Sequence, residues 1–189
     1  MSLVERIAQA DERGLAASGL ACLDRCLPLL GADDELLRPL WANLAEDSDW
    51  GAGLEKARGA LGAEGAADDE AARLARRMLQ AAPAARTADA VRPWADACSV
   101  ASLRIHRLLD PAADGVPDTE DLDAGRAGET ADLPPLVAAE LRRQTAVLDV
   151  LAEHGPNGLR RALDLSIEGR RVLRAVVSRR ARLESEPGA

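Results

Sequence analysis

The chain has 189 residues, 47% of them hydrophobic, yet it contains no Phe, no Tyr and only three Trp, and its formal charge is −8. Ala, Leu and Val supply nearly all of the apolar content, which favours helix and disfavours strand, so the expected fold is all-α, a single compact array of roughly seven or eight helices with no sheet. The acidic balance, with an isoelectric point near 4.9, disfavours nucleic-acid and anionic-membrane binding through the overall field, and the shortage of aromatics removes the side chains that usually line ligand pockets.

Ser2 followed by Glu5 is a capping box that starts a short helix from about Leu3 to Arg13. Gly14 and Gly19 flank a second segment in which Leu20, Leu23, Leu27 and Leu30 recur on one helical face, with Pro28 predicting a kink and Gly31 a stop. Asp33 and Asp34 suit the start of the next helix, which carries Leu36, Leu37, Leu40, Trp41 and Leu44, with Pro39 able to delay its onset. Ser48-Asp49 caps a segment through Leu61, and Gly62 to Ala67 reads as a turn. Asp68-Asp69-Glu70 opens a helix with Leu74, Met78 and Leu79 that stops before Pro83. Thr87 starts the longest middle helix, whose Trp94, Cys98, Ala101, Ile105 and Leu108 form a heptad-like seam.

Residues 111–133 hold seven carboxylates against the single Arg126, without apolar periodicity, and predict a mobile acidic loop. Pro134-Pro135 leads a helix with Val137, Leu141, Leu148 and Leu151, closed at His154-Gly155-Pro156. Asn157 is expected to cap the last helix, with Leu159, Leu163, Ile167, Leu173 and Val177 inward and a frayed tail over 184–189. The whole is expected to be one helical domain spanning residues 1–189.

Three stretches resemble an uncharacterised family of bacterial all-helical proteins, the YjaG-like domain of unknown function. They are Ala21-Cys22-Leu23-Asp24-Arg25-Cys26-Leu27-Pro28 with Leu40-Trp41, Ala95-Asp96-Ala97-Cys98 with Ala101 and Ser102, and Glu140 to Gln144 with Leu148, Leu151 and Arg161-Ala162-Leu163. The resemblance implies an all-helical fold and no activity. The chain departs from that pattern in its few aromatics and in the Arg-rich extension of its last helix.

Four residues could carry chemistry. Cys22 and Cys26 share a helix face and could offer two metal ligands, with Cys98 and His106 completing a set if their helices meet. Buried apolar Cys is the simpler reading. Cys98, Ser102 and His106 form a line on one helix, but Cys98 and His106 are about 12 Å apart along its axis, so a Cys–His nucleophile would need Ser102 as a relay. Asp24, Arg25 and Glu140 could form ion pairs between helices that set packing rather than chemistry. No catalytic, cofactor or metal residue is therefore assigned. Arg160, Arg161, Arg170, Arg171, Arg174, Arg179, Arg180 and Arg182 make the last helix basic. That face could meet nucleic acid, pair with the acidic 111–133 segment within one chain or across a homodimer, or simply be solvated.

The odd Cys count argues against a disulfide scaffold, and neither a signal peptide nor a membrane span is expected, which points to the cytoplasm. The function expected is a non-catalytic helical interaction protein with a protein partner or self-association. The alternatives are a Cys/His-dependent hydrolase or metal-binding enzyme, and a nucleic-acid-associated factor using the last helix.

Overall fold

A computed structural model describes residues 1–61, 69–113 and 119–185. Every regular element among them is helical: α1 (Leu3–Gln9), α2 (Glu12–Arg25), α3 (Arg38–Glu46), α4 (Trp50–Leu61), α5 (Glu70–Gln80), α6 (Ala88–Leu109), α7 (Thr119–Ala127), α8 (Pro135–His154) and α9 (Leu159–Ser185), with 3-10 turns at Leu27–Leu29 and Gly155–Gly158. The expectations for Gly62–Ala67, for Asp68 and for residues 186–189 lie outside the described residues.

α2 is the axis of the array. Every residue from Gly14 to Arg25 is buried, because α6, α9, α8, α3 and α5 all pack against it. A helix enclosed on all sides must be apolar or small wherever its groups are unpaired, and from Gly14 to Leu23 α2 is built of Leu, Ala, Gly, Ser and Cys, with only Asp24 and Arg25 charged at its end. Gly19 shows how close the packing is. A Cβ there would lie 2.6 Å from the Trp94 ring, whose edge meets Trp50 with centroids 6.1 Å apart. Each indole N–H is satisfied: Trp94 donates to the Met78 carbonyl at 2.8 Å, Trp50 to that of Pro83 at 2.9 Å, and Trp41 to the Asp24 carboxylate at 2.9 Å. The buried apolar side chains of all these helices form one contiguous cluster.

Most caps form where the sequence places them. Ser2 and Glu5 make the reciprocal capping box, and Asp49, Asp69 and Thr87 accept from Ala52, Ala72 and Ala90. The first helix is shorter than expected. It breaks at Ala10, where extended backbone lets Asp11 cap a new helix by accepting from Gly14 at 2.7 Å. Arg92 of α6 then donates to the carbonyls of Ile7 and Ala8, at 2.6 and 2.8 Å, satisfying groups that a helix end leaves free. Asp33 caps only a turn, donated to by the Glu35 N–H at 2.8 Å, and α3 starts with Pro39 in its first turn. Asn157 lies within the 3-10 turn that runs directly into α9, instead of standing as its cap.

The acidic segment 111–133 is not the continuous loop expected, because α7 forms within it and takes up half of its described residues. Leu122 and Arg126, four residues apart, turn one face of α7 inward, and both are buried. Gly125 lets Leu133 fold against the helix, where a Cβ would be 3.0 Å from its Cδ1. Two of the carboxylates are also paired, Asp121 with Arg107 at 3.6 Å and Asp123 with Arg126 at 3.8 Å. An ordinary solvated loop would have neither.

α9 continues helical through Glu184 and Ser185, where fraying is expected. Its buried line is Leu159, Ala162, Ser166, Gly169, Arg170 and Leu173, while Leu163, Ile167 and Val177 are half-buried flanks. The contact with α2 and α8 is too close for branched side chains at its centre. On α6, Trp94, Cys98 and Ile105 are buried together as expected, and Leu108 is half-buried at the helix end. No described helix is long and apolar enough to cross a membrane.

Two glycines test this packing in opposite directions. Gly19→Ala should lower the unfolding free energy by about 1–3 kcal/mol through overpacking against Trp94. Gly59→Ala, at a helical position with nothing within 4 Å of the added methyl, should raise it by about 0.5–1 kcal/mol. Urea denaturation of both variants checks the contrast, and equal effects at the two positions would contradict it.

Candidate functional site

Helical spacing brings the candidate chemistry together in the interior. Cys22, Arg25 and Cys26 lie on one side of α2. Ser99, Ser102 and His106 follow at steps of three and four on α6, and Glu140 and Gln144 are one turn apart on α8. All are buried, Arg25 and Glu140 completely. The guanidinium grips the carboxylate with two bonds, Nε to Oε2 at 2.7 Å and Nη2 to Oε1 at 2.6 Å. Room for the Arg25 stem comes from Gly169 on α9, where a Cβ would lie 2.4 Å from the Arg25 Cδ.

The carboxylate is then saturated by neutral donors. Ser102 Oγ donates to Oε1 at 2.8 Å and Gln144 Nε2 at 2.9 Å. Ser99 donates to Gln144 Oε1 at 2.6 Å and accepts from Arg126 Nε at 3.1 Å, and Arg126 reaches the half-buried Asp96. A buried ion pair survives only with such additional bonds, since removing each charge from water costs several kcal/mol. Burial opposes the Glu140 charge, but Arg25, His106 and these donors hold its pKa down at about 2. Burial likewise opposes the Arg25 charge, and Glu140 outweighs it, keeping the guanidinium above its ordinary pKa.

His106 is oriented by its own helix. Its Nδ1 lies 2.7 Å from the Ser102 carbonyl, which can only accept, so Nδ1 carries the proton. Nε2 faces Glu140 Oε2 at 3.6 Å. Burial pushes the imidazole pKa down, against the pull of Glu140 and the Ser102 carbonyl and aided by Arg25 and Arg143.

This geometry corrects the Cys98–Ser102–His106 relay. The Ser102 hydroxyl is spent on Glu140, His106 meets the backbone carbonyl of Ser102, and the thiol in contact with Ser102 Oγ is that of Cys26, at 3.9 Å. Burial pushes the Cys22 thiol up to about 12 and those of Cys26 and Cys98 upward as well, away from the thiolate that attacks or binds metal. No group of three or more His, Cys, Asp or Glu among the described residues is arranged to hold a metal ion. Of the ion pairs considered from the sequence, Arg25–Glu140 forms as such. Asp24 pairs instead with Arg170 at 3.4 Å and accepts from Trp41. Sequence reading missed Ser99, Gln144, Gly169 and Arg126. The first two carried a weak signal in their helical registers with Ser102 and Glu140.

The arginines of α9 divide. Arg170 is buried, donating to the Asp34 carbonyl at 2.9 Å, and Arg174 pairs with the Asp34 carboxylate. The eight therefore do not form one open stripe, and no ion pair links α9 to residues 121–133 among the described residues. Beyond Val177 every described α9 residue is exposed. There Leu183 is 67% exposed and, with Val176, Arg179 and Arg180, walls a groove of about 250 Å³ whose opposite side is Leu108, Leu109 and Pro111 at the end of α6. A second groove, of about 340 Å³, runs between α1 and α8 past Gln9, Asp11, Leu148 and Asp149. Its Arg6 is already paired with Asp149 at 2.6 Å.

Compared with known protein families, with curated proteins and with solved structures, the chain matches none.

Glu140→Gln keeps the shape but leaves Arg25 buried without a counter-charge, and should lower the unfolding free energy by about 3–5 kcal/mol. A loss below about 1 kcal/mol in urea titration would show that the pair is not sealed. The depressed His106 pKa makes a second prediction. Between the unfolded value near 6.5 and the lower folded one, the unfolded chain binds more protons. Its contribution is therefore complete above about pH 6.5 and is lost as pH falls through the folded pKa. The Glu140 contribution is lost further down, from about 4.5 towards 2. Urea midpoints should fall between about pH 7 and pH 5, and His106→Gln should flatten that fall. An equal slope in the variant would assign it to other groups.

Proposed function

We propose that the chain is a non-catalytic interaction protein of the bacterial cytoplasm that engages a protein partner through the C-terminal end of α9. The observation that carries this reading is Leu183, a large apolar side chain left 67% exposed on the overhanging turns of a helix, beside an apolar groove and between Arg179, Arg180 and Arg182. Leucine and arginine placed together around a concavity are what a partner can desolvate and pair. The three buried free thiols fit a reducing compartment. A Cys/His-dependent hydrolase is disfavoured because its three thiols and His106 are enclosed and burial holds the thiols protonated.

A photoreactive residue placed at position 183 in cells should form a discrete adduct with a protein, while the same residue at position 160, exposed at the start of α9, should not. Replacing Leu183 at this exposed position should change the unfolding free energy by less than about 0.5 kcal/mol, so the absence of an adduct would not reflect unfolding. Adducts at neither position, or equally at both, would refute this use of α9.

A further inference from the structure

We infer that the partner presents an acidic amphipathic helix to the groove between the ends of α6 and α9, an inference that rests on the interaction reading above. Val176 and Leu183 are seven residues apart and share a helix face, with Arg179 and Arg180 between them on the same wall. The groove therefore offers an apolar slot with cations along one rim.

The single carboxylate among its described lining residues does not offset them. Asp110 is buried, with Oδ1 accepting from the Ala112 N–H at 2.9 Å and Oδ2 from the Leu136 N–H at 2.7 Å. It faces the backbone and not the slot. Arg180 is shared with Glu184 at 3.1 Å and with the Leu108 carbonyl at 3.4 Å, so part of its charge is already met, whereas Arg179 has no ion-pair partner among the described residues and is the cation left for a partner. The complementary surface is an apolar side chain flanked within a turn by carboxylates, the pattern that an acidic amphipathic helix repeats along one face.

Other occupants fit less well. Two copies meeting through this face about a two-fold axis would set Arg179 and Arg180 against themselves, and like charges in such a contact are unfavourable. A duplex or an anionic bilayer extends beyond the slot. It would also cover the adjoining groove, which shares Leu109 and Arg180 with the slot and is lined by the carboxylates Asp69 and Glu184. A single helix, about 10–12 Å wide with its side chains, can seat on Leu183 and Arg179 without covering Asp69.

The test uses the full chain and a synthetic helix of about 18 residues, with leucines at i, i+3, i+4 and i+7 and glutamates elsewhere. Binding is read by fluorescence anisotropy in about 150 mM salt. We expect roughly micromolar affinity that weakens as salt rises. It should fall at least about tenfold in Leu183→Ser and in Arg179→Glu, and remain unchanged in Arg160→Glu. Equal affinity for a version with lysine in place of glutamate, indifference to both groove substitutions, or duplex DNA bound more tightly through the same two residues would overturn the inference. If adducts at position 183 persist but the acidic peptide does not bind, the interaction reading stands and the partner chemistry is wrong. If neither is seen, both fall.

Discussion

The bidentate bond between Arg25 and Glu140 constrains the array more than any other contact. Both charges are wholly out of water, where each is tolerable only in the other's grip and with additional hydrogen bonds; Ser102 and Gln144 supply these to Glu140, while Arg25 Nη1 has no partner among the described residues. That requirement fixes α2 against α8, because sliding one helix by a turn, about 5.4 Å, would strand both groups. It also recruits α6, through Ser102, and α9, through the missing side chain of Gly169. The interior polar cluster is therefore a device for specifying register. Its members resemble a catalytic constellation in composition, but Ser102 and Gln144 are committed to the Glu140 carboxylate and Ser99 to Gln144 and Arg126.

Around this pair, space is allocated by small residues. α2 is surrounded because its Ala, Gly, Ser and Cys positions let five neighbours approach. Gly19 admits the Trp94 ring, while Ala162, Ser166 and Gly169 let α9 lie close. The three tryptophans stand at the edges of this close packing, where they supply bulk that Ala cannot, and each anchors its N–H on a neighbouring element. A chain with almost no aromatics can thus build a continuous core by reducing the distance between helices in place of filling it.

Charge is sorted by the same geometry. Arg126, Arg170 and Arg25 point inward and tie α7, α9 and α2 to the remainder, while the last turns of α9 leave the body with Leu183 and Arg179 uncovered. The first three set the fold. The uncovered pair is the part of the molecule on which the proposed interaction rests.

The sequence by itself determined the helical class, most caps, and the stop at Gly155, because these depend on intrinsic propensity and on bonds spanning three or four residues; the kink expected at Pro28 is instead an end, since α2 stops at Arg25 and Leu27–Leu29 form a 3-10 turn. Spacing alone also placed Asp24, Arg25 and Glu140 among the residues able to pair across helices. It left open which carboxylate each arginine meets, since residues 25 and 140, or 24 and 170, become neighbours only when three helices pack. α7 was illegible for a related reason. Its apolar face is one leucine and one arginine stem, too little for periodicity to register, and it is stabilised by Ser99, Asp96, Arg107 and Leu133 from elsewhere in the chain. The division of the α9 arginines was likewise a tertiary decision. Helical spacing assigns each residue a direction, but only the position of Asp24 and Asp34 turned that direction into burial for Arg170, and only the end of the body at Val177 left Leu183 in water.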